Sequence, residues 1–386
     1  MTASVVLGAL ALAIWAYLLL GHGGFWRMRE RDDLDEPASE PTTWPSVVAV
    51  VPARNEADVI ARSAGSLLAQ DYPGAFRVIL VDDNSEDGTA TVAGEAAARL
   101  GAGQRLRVLS GAPLAAGWTG KLWAVRQGVA EAAAFAPDYL LLTDADIAHS
   151  PDNLRKLVGR AEAEGRVMVS LMARLTNQTW AEKLLIPAFV FFFDMLYPFG
   201  WVNDRRRKMA AAAGGCMLIK RTALEAAGGI DSIRAEIIDD CAMGRRMKSQ
   251  GPIWLGLTDR AVSLRPYQTV GEIGRMVSRS AYAQLGYSPL LLAGTLLGMV
   301  LVYLSAPLLA LFGHGLARGL GLAGWAAMAI AFQPMLAFYR RSPLWGLALP
   351  LIGALYSAFT LDSAIQVWRG RGGMWKGRAQ AAAELR

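Results

Sequence analysis

The sequence predicts an α/β fold, in which a mainly parallel sheet covered by helices is joined to transmembrane helices. Two patterns predict it. Between Thr43 and about Leu264, short β-branched or leucine-rich runs alternate with longer alanine-rich amphipathic runs, the order typical of a parallel α/β sheet. Nearer both ends, uncharged apolar runs reach the roughly 17 to 25 residues with which a helix crosses a bilayer. Because 53% of the 386 residues are hydrophobic, we expect membrane-embedded and aqueous parts.

The first apolar run covers residues 4–21 and is followed by three arginines within residues 27–31. A cleaved signal peptide carries its basic residues before the apolar run, so we predict a transmembrane anchor over residues 1–24 instead. The arginines place the following segment on the cytoplasmic side by the positive-inside rule. An acidic, proline-containing linker, residues 25–44, then leads to the α/β domain.

The late apolar runs predict further crossings within residues 286–366. The segments expected to cross are residues 286–313, 320–338 and 343–361. Arg340 and Arg341 would then lie in a cytoplasmic loop. Three crossings would place the basic tail, residues 367–386, outside the cytoplasm, which breaks the positive-inside rule unless one late segment is re-entrant.

Six runs in the middle of the chain have the length and composition of strands. They are residues 46–51, 77–81, 105–109, 139–143, 167–171 and 216–219. Between the first two, apolar residues from Val59 to Leu68 recur at helical spacing and predict a helix. We assign residues 45–285 to one α/β domain.

Polar clusters follow three of these strands. The first strand ends in VPARNE (residues 51–56), the second in DDNSEDGT (82–89) and the fourth in DADI (144–147). Ligands of open α/β sheets bind beyond the carboxyl ends of the strands. The three clusters therefore predict one binding site at one edge of the sheet.

The DDNSEDGT cluster has two interpretations. Its acids could cap the helix that begins near Gly88, or a carboxylate held at the strand end could accept hydrogen bonds from a nucleotide. A calcium loop is excluded because Gly94 stands at the twelfth loop position, where glutamate is needed, and because the segment follows a strand.

Asp144 and Asp146 stand one residue apart after the fourth predicted strand. They could be solvated residues or helix caps. Alternatively, they hold a divalent cation, Mg²⁺ or Mn²⁺, that bridges a diphosphate and neutralises the charge that develops as it leaves.

Two further clusters carry charged candidates. Lys121, in GWTGKLWA, begins a predicted helix behind glycines and is either solvated or a phosphate contact, although the spacing is not that of a Walker motif. Asp239 and Asp240, in IIDDCAMGRRM, begin another helix. They either complement the helix dipole or supply a general base for an acceptor hydroxyl.

Other residue types indicate neither a disulfide nor a nucleic-acid partner. Cys216 and Cys241 lack CxxC spacing, so we expect thiols, and the three histidines lack metal-ligand spacing. The net charge of +6 comes without a basic stripe interleaved with aromatics. The basic run at residues 205–208 suits a membrane surface equally well.

The ordered motifs VPARNE, VDDNSEDGT, GK, TDAD, GGCMLIKR and IIDDCAMGRR resemble those of inverting family 2 glycosyltransferases with a GT-A, Rossmann-like fold. The resemblance covers roughly Pro45 to Leu285. Within that family the chain is most similar to the bacterial hopene-associated glycosyltransferases and, more distantly, to ceramide glucosyltransferases.

The resemblance implies roles for particular residues. Asp240 would be the catalytic base, with Asp239 beside it, and Asp144 and Asp146 would hold metal and diphosphate. The residues implied to bind substrates are Pro52, Arg54, Glu56, Asp82, Asp83, Lys121, Gly214, Gly215 and Arg279.

One motif departs from the family pattern. The family often carries QxxRW before its membrane helices, whereas residues 276–280 read MVSRS and keep only Arg279. The missing tryptophan is often tied to processive synthases, so the departure favours transfer of one sugar over polymerisation.

An aromatic-rich apolar stretch, residues 184–202, lies inside the predicted domain. It is either a buried core helix or, because Pro187, Asp194 and Pro198 interrupt it, a segment in the headgroup boundary. The second interpretation would bring the site to the membrane surface. The expected acceptor is then a membrane lipid instead of a soluble sugar.

The sequence thus predicts a metal-dependent glycosyltransferase of the bacterial inner membrane, multi-pass, with a cytoplasmic catalytic domain. It would move one sugar from a nucleotide-sugar donor, expected to be a UDP-sugar, to a lipid hydroxyl in hopanoid or glycolipid biosynthesis. One alternative is a polysaccharide or polyprenyl-phosphate glycosyltransferase. Another is a non-catalytic membrane protein that senses nucleotide.

Overall fold

The structure, a computed structural model, describes residues 2–34 and 40–372 and the backbone of residues 374–375 and 378–379. The chain forms two compact units. The helical unit comprises the described residues of Met1–Arg29, Asn177–Gly200 and Pro266–Gly373. The sheet unit comprises the described residues of Glu30–Thr176, Trp201–Arg265 and Met374–Arg386.

Strands of the sheet unit pair in one mixed sheet. They are β1 (Val47–Ala53), β2 (Phe76–Asp82), β3 (Leu106–Ser110), β4 (Tyr139–Thr143), β5 (Ile147–His149), β6 (Met168–Arg174), β7 (Cys216–Lys220) and β8 (Ile253–Ser263). Their order is β3-β2-β1-β4-β7-β6-β8-β5. Two short strands, β9 (Met374–Trp375) and β10 (Arg378–Ala379), pair with each other.

Helices occur in both units. They are α1 (Ala3–Leu20), α2 (Ile60–Leu68), α3 (Thr89–Arg99), α4 (Gly120–Ala132), α5 (Asn153–Glu164), α6 (Trp180–Leu196), α7 (Phe199–Asn203), α8 (Arg221–Ala226), α9 (Asp239–Lys248), α10 (Val270–Ser278), α11 (Ala281–Gln284), α12 (Pro289–Met299), α13 (Ser305–Phe312), α14 (Gly315–Phe338) and α15 (Leu349–Trp368). A π-helical stretch, Val300–Leu304, joins α12 to α13.

The register of the parallel strands places the polar clusters at one edge. Strands β3, β2, β1 and β4 run parallel, and Val50 of β1 pairs with Ile79 of β2 and Leu142 of β4. Strand β7 is antiparallel to both β4 and β6. The predicted mainly parallel sheet is therefore confirmed, and the residues that follow β1, β2 and β4 emerge side by side.

All six predicted strands are present, but β5 and β8 were not predicted. Strand β5 has only three residues, too few for a recognisable pattern. Strand β8 begins with an apolar run, but its second half contains Thr258, Asp259 and Arg260. The pairing of β6 with β8 shifts register between Met172 and Arg174, so the alternation that marks a strand is interrupted there.

Part of the predicted linker, residues 25–44, is structured. Arg31 forms a bridge with Leu257 of β8. The Asp32 carboxylate is buried, accepts a hydrogen bond from Thr258 Oγ1 at 2.6 Å and lies 3.2 Å from Arg260 Nη1. Residues 30–34 of the linker thus belong to the sheet unit. Residues 35–39 lie outside the described residues, as does half of the predicted basic tail, residues 367–386.

Four helices in the described part of the helical unit are long and apolar enough to cross a membrane. They are Ala3–Leu20, Pro289–Phe312, Gly315–Phe338 and Pro343–Trp368. Large apolar side chains such as Leu20, Leu290 and Phe312 are exposed on them. Hydrocarbon tails would remove this surface from water, so the pattern fits the predicted anchor and late crossings.

Residues 177–200 belong to the helical unit, whereas the sequence assigned them to the α/β domain. Helix α6 begins with a capping box between Thr179 and Glu182. Phe191 packs between Phe25 and Phe332, with ring centroids 5.3 and 5.1 Å away. Phe192, also buried, contacts further aromatic rings of this unit. For these two rings the structure supports the buried-helix alternative, because packing on aromatic neighbours removes them from the surface.

Helix α4 packs closely on the sheet at Gly128. A Cβ atom there would lie 2.4 Å from Val50 Cγ1 and 2.9 Å from Val81 Cγ2. We expect Gly128→Ala to lower the free energy of unfolding by about 1 to 3 kcal/mol through overpacking. At Gly94 in α3, a Cβ atom would meet nothing within 4 Å. Gly94→Ala should therefore leave the free energy of unfolding unchanged or raise it by up to about 1 kcal/mol. Equal thermal-unfolding midpoints for the two variants would contradict this close packing.

Candidate active site

The ends of β1 and β2 bring Arg54 and Asp83 together. Arg54 Nη1 donates to the Asp83 carbonyl oxygen at 2.5 Å and lies 3.9 Å from its carboxylate. Asp83 is buried. Asp82, by contrast, accepts a hydrogen bond from the Ser85 backbone N–H and so closes the turn after β2. Asp82 is thus held by the turn, while Arg54 and Asp83, each predicted to bind substrate, contact one another.

Lys121 connects the fourth-strand acids to the acids of α9. Its Nζ lies 2.8 Å from Asp144 Oδ1 and 3.1 Å from Asp239 Oδ2. Thr119 caps α4 and thereby places Lys121 in the first turn. Burial disfavours the ammonium charge, but Asp144 and Asp239 outweigh it and raise the pKa of Lys121 above its ordinary value. Lys121 is therefore a fixed cation.

Asp240 is held from both sides by the backbone. Its Oδ2 accepts from the Gly214 N–H at 3.1 Å and its Oδ1 from the Cys241 N–H at 2.7 Å. Burial, and then the neighbouring charge of Asp239, raise the pKa of Asp240 to about 6. Such a carboxylate is a stronger base than an exposed one, yet it is still ionised at neutral pH.

Glycine at position 214 permits this approach. A Cβ on Gly214 would lie 3.3 Å from Lys121 Nζ and 3.5 Å from Asp240 Cβ. Together with Pro52, Gly214 lines a small cavity beside Lys121 and Asp144. The neighbouring Gly215 accepts a hydrogen bond from Thr143 Oγ1 at 2.7 Å through its carbonyl oxygen, so it supports the end of β4.

Sequence reasoning missed Arg265. Its Nε lies 3.1 Å from Asp146 Oδ2 and its Nη2 lies 2.5 Å from Glu56 Oε2. It follows β8, and the Leu264 N–H donates to the Asp146 carbonyl oxygen at 2.7 Å. Because β8 was not predicted, an arginine at its end gave no sign of belonging to this edge.

A buried polar group behind β4 was also missed. Thr143 Oγ1 donates to Gly215 and is 3.0 Å from His149 Nε2, so this ring nitrogen carries the proton. Asn153 Nδ2 then donates to His149 Nδ1 at 2.9 Å. Burial lowers the pKa of His149 to about 4, which keeps the ring neutral. These side chains hold the strand end that carries Asp144.

Arg279 is the C-cap residue of α10 and belongs to the helical unit. Its predicted diphosphate contact stays a prediction.

The residues at this edge fit a metal ion that arrives with a diphosphate. In the described part of the chain, no three His, Cys, Asp or Glu side chains are grouped to hold a metal by themselves. The side chains of Asp144 and Asp146 are 34% and 20% exposed and present only oxygen atoms. Mg²⁺ is commonly bound by one or two carboxylates plus substrate phosphates, which needs no third protein ligand.

The fold has a solved counterpart. The mannosyltransferase PcManGT from Pyrobaculum calidifontis, in complex with GDP-Man and Mn²⁺, aligns with 94% of this chain and 99% of its own, with a TM-score of 0.53 and 21% identity. The sheet, its polar edge and this likeness define the chain as a GT-A protein.

Residues 48–228 match the family described as Glycosyl transferase family 2, and residues 139–358 match Glycosyl transferase family group 2. The second match covers more than half of the chain, so the chain belongs to the family 2 glycosyltransferases. This membership favours the predicted glycosyltransferase over the non-catalytic alternative.

Curated relatives are N-acetylglucosaminyltransferases of rhizobia. The protein of Rhizobium leguminosarum bv. viciae is 29% identical over 191 residues, 47% of this chain and 40% of the relative. That of Sinorhizobium fredii (strain NBRC 101917 / NGR234) is 29% identical over 233 residues, 56% of this chain and 51% of the relative. The chain thus spans about half or less of the length of these relatives.

Proposed function

We propose that this enzyme transfers one sugar from a nucleoside-diphosphate donor, a UDP-sugar, to the hydroxyl of a membrane lipid, with inversion at the anomeric carbon. One observation carries the chemistry: a half-buried carboxylate with a raised pKa, Asp240, lies beside a fixed cation, Lys121, that contacts the first acid of the Asp144–Asp146 pair. A base for the acceptor and a charge for the leaving group are thereby adjacent.

In the proposed reaction Asp240 accepts the proton of the acceptor hydroxyl. The hydroxyl oxygen forms a bond to the anomeric carbon on the face opposite the diphosphate, and the bond from that carbon to the diphosphate oxygen breaks. The nucleoside diphosphate leaves with the electron pair. Lys121 offsets the negative charge that develops on it, in a site where the low dielectric strengthens this interaction.

Asp144 and Asp146 are the residues that would hold Mg²⁺ or Mn²⁺. When bound, such an ion neutralises diphosphate charge and so favours departure of the nucleotide. PcManGT, the structural neighbour, is in complex with Mn²⁺ and GDP-Man. Arg54, Glu56 and Asp83 are proposed to contact the nucleotide.

The lipid acceptor is inferred from the membrane segments and the resemblance. Four apolar helices among the described residues could span a membrane, so a lipid hydroxyl is the acceptor that such an enzyme meets. The resemblance to hopene-associated enzymes favours a hopanoid or a similar polycyclic or sphingoid-like alcohol. We place the enzyme in the bacterial inner membrane with its sheet unit in the cytoplasm, because three arginines follow α1. A reporter enzyme that works only in the cytoplasm should be active when it is fused after Glu40. A reporter that works only in the periplasm should be inactive at the same position, and periplasmic activity there would contradict this topology.

The test is an acceptor assay with the purified full-length enzyme and Mn²⁺ or Mg²⁺. UDP- and GDP-sugars are each offered with vesicles carrying a hopanoid or ceramide-type alcohol, and separately with soluble mono- and oligosaccharides. Products are identified by mass. We expect lipid carrying one sugar, formed from a UDP-sugar and absent with Asp240→Asn. Transfer to soluble sugars alone, or a polymeric product, would contradict the proposal.

The raised pKa of Asp240 predicts the pH dependence. The base must be deprotonated, so kcat/KM should fall below about pH 6, by about tenfold per pH unit. Asp239→Asn removes a neighbouring negative charge that raises this pKa, so the acid limb should move to lower pH. The measurement is a pH profile of kcat/KM for both proteins, with Asp259→Asn, outside the site, as control. An acid limb that stays in place or moves upward in Asp239→Asn would count against Asp240 as the base.

A further inference from the structure

The two acids proposed to hold the metal ion are each engaged by a protein cation. Lys121 contacts Asp144 at 2.8 Å, and Arg265 contacts Asp146 at 3.1 Å. Each of these cations also reaches a second carboxylate, Asp239 for Lys121 and Glu56 for Arg265. A metal ion that binds here must therefore compete with both cations for carboxylate oxygens.

The net charge at this edge disfavours a diphosphate alone, and the existing ion pairs oppose a divalent cation alone. Four carboxylates, those of Asp144, Asp146, Asp239 and Glu56, face the two cations, which leaves two negative charges before Asp240 is counted. A diphosphate alone adds negative charge to a negative site. A divalent cation alone meets carboxylates whose charge is already partly neutralised. When both arrive together, the phosphates attract the protein cations and the metal ion attracts the released carboxylates.

Arg265 has the geometry to move between these partners. Its carbonyl oxygen accepts from Thr176 Oγ1 at 3.1 Å, and Pro266 follows it, so its backbone is held. Its side chain is 35% exposed, so the guanidinium can turn. The guanidinium bonds two carboxylates through two different nitrogens, and a diphosphate presents a similar pair of charged oxygens.

We propose that Arg265 is an exchangeable counter-ion: it occupies Asp146 and Glu56 when the donor is absent and transfers to the donor diphosphate when it binds, which frees Asp146 for the metal ion. Metal binding is thereby made dependent on donor binding. This inference rests on the proposed function, since it assumes a diphosphate donor at this edge.

The test measures Mn²⁺ binding to the full-length enzyme by electron paramagnetic resonance of the free ion, with and without UDP or GDP, so that no turnover occurs. In the wild type, the nucleotide should raise the Mn²⁺ affinity by about tenfold, and Mn²⁺ should raise nucleotide affinity equally. Arg265→Gln should bind Mn²⁺ alone several-fold more tightly and lose most of the enhancement. Arg107→Gln, which removes an exposed partner of Glu131, should behave as wild type.

The outcomes separate this inference from the proposed function. If UDP and GDP leave Mn²⁺ binding unchanged in the wild type, the donor site itself is misassigned. If the enhancement is present and equal in Arg265→Gln, or if that variant binds Mn²⁺ alone more weakly, Arg265 is a structural clamp and the inference is wrong. Should Arg265→Gln not fold, Arg265→Lys, which keeps the charge but cannot bond both carboxylates in this way, must show a reduced enhancement. Full enhancement there would also overturn the inference.

Discussion

Asp240→Asn should lower kcat by about 100-fold or more while nucleotide affinity stays near that of the wild type. Asparagine has nearly the same shape and can still accept one of the two backbone hydrogen bonds, from Gly214 or Cys241. It cannot take up a proton at neutral pH, so the acceptor hydroxyl would attack without a base. The measurement is steady-state transfer together with nucleotide binding at equilibrium.

Asp239→Asn is the matched control for this loss. Asp239 is adjacent in sequence and contacts Lys121, but it lacks the two backbone hydrogen bonds that hold Asp240. We therefore expect a milder loss of kcat at the optimal pH. If Asp239→Asn is the more damaging of the two, the base is Asp239. Thermal-unfolding midpoints of both variants check that the comparison concerns folded protein.

Asp146→Asn should abolish detectable transfer at the Mn²⁺ concentration that saturates the wild type, while leaving the protein folded. The substitution removes one of two carboxylates proposed to hold the metal ion, and the neutral amide is a poor ligand for Mg²⁺ or Mn²⁺. Little packing depends on the charge, because the side chain is partly exposed at the end of the sheet. Activity is measured across a wide range of Mn²⁺ concentrations, since weakened binding would be partly restored at high concentration.

Asp259→Asn serves as the control for Asp146→Asn. Asp259 also pairs with an arginine in the sheet unit, Arg174 at 2.6 Å, but lies outside the proposed site. It should keep near-wild-type activity and metal dependence. Near-wild-type transfer by Asp146→Asn would show that the metal assignment is wrong, whatever the result for Asp240.

Local patterns were sufficient for the strands that carry the acids. β1, β2 and β4 are short runs of β-branched or leucine residues, and a polar cluster ends each of them. Since carboxyl ends of parallel strands share one edge, the sequence predicted that the clusters of Arg54 and Asp83 converge there, while their contact is known only from the structure. Asp240 could be singled out as an acid at a helix start, but its backbone hydrogen bonds and raised pKa could not be predicted.

The sequence by itself determined six of the eight described strands of the sheet and the membrane-length helices, because hydrophobic periodicity and charge-free length are local properties. It also determined which acids stand at strand and helix ends. Only the tertiary structure decided which charges neutralise one another. Arg265 lies 119 positions from Asp146 and 209 from Glu56, and it reaches them through the pairing of the unpredicted strand β8. Likewise, Phe191 became a core residue because distant aromatic rings pack around it, which no local pattern encodes.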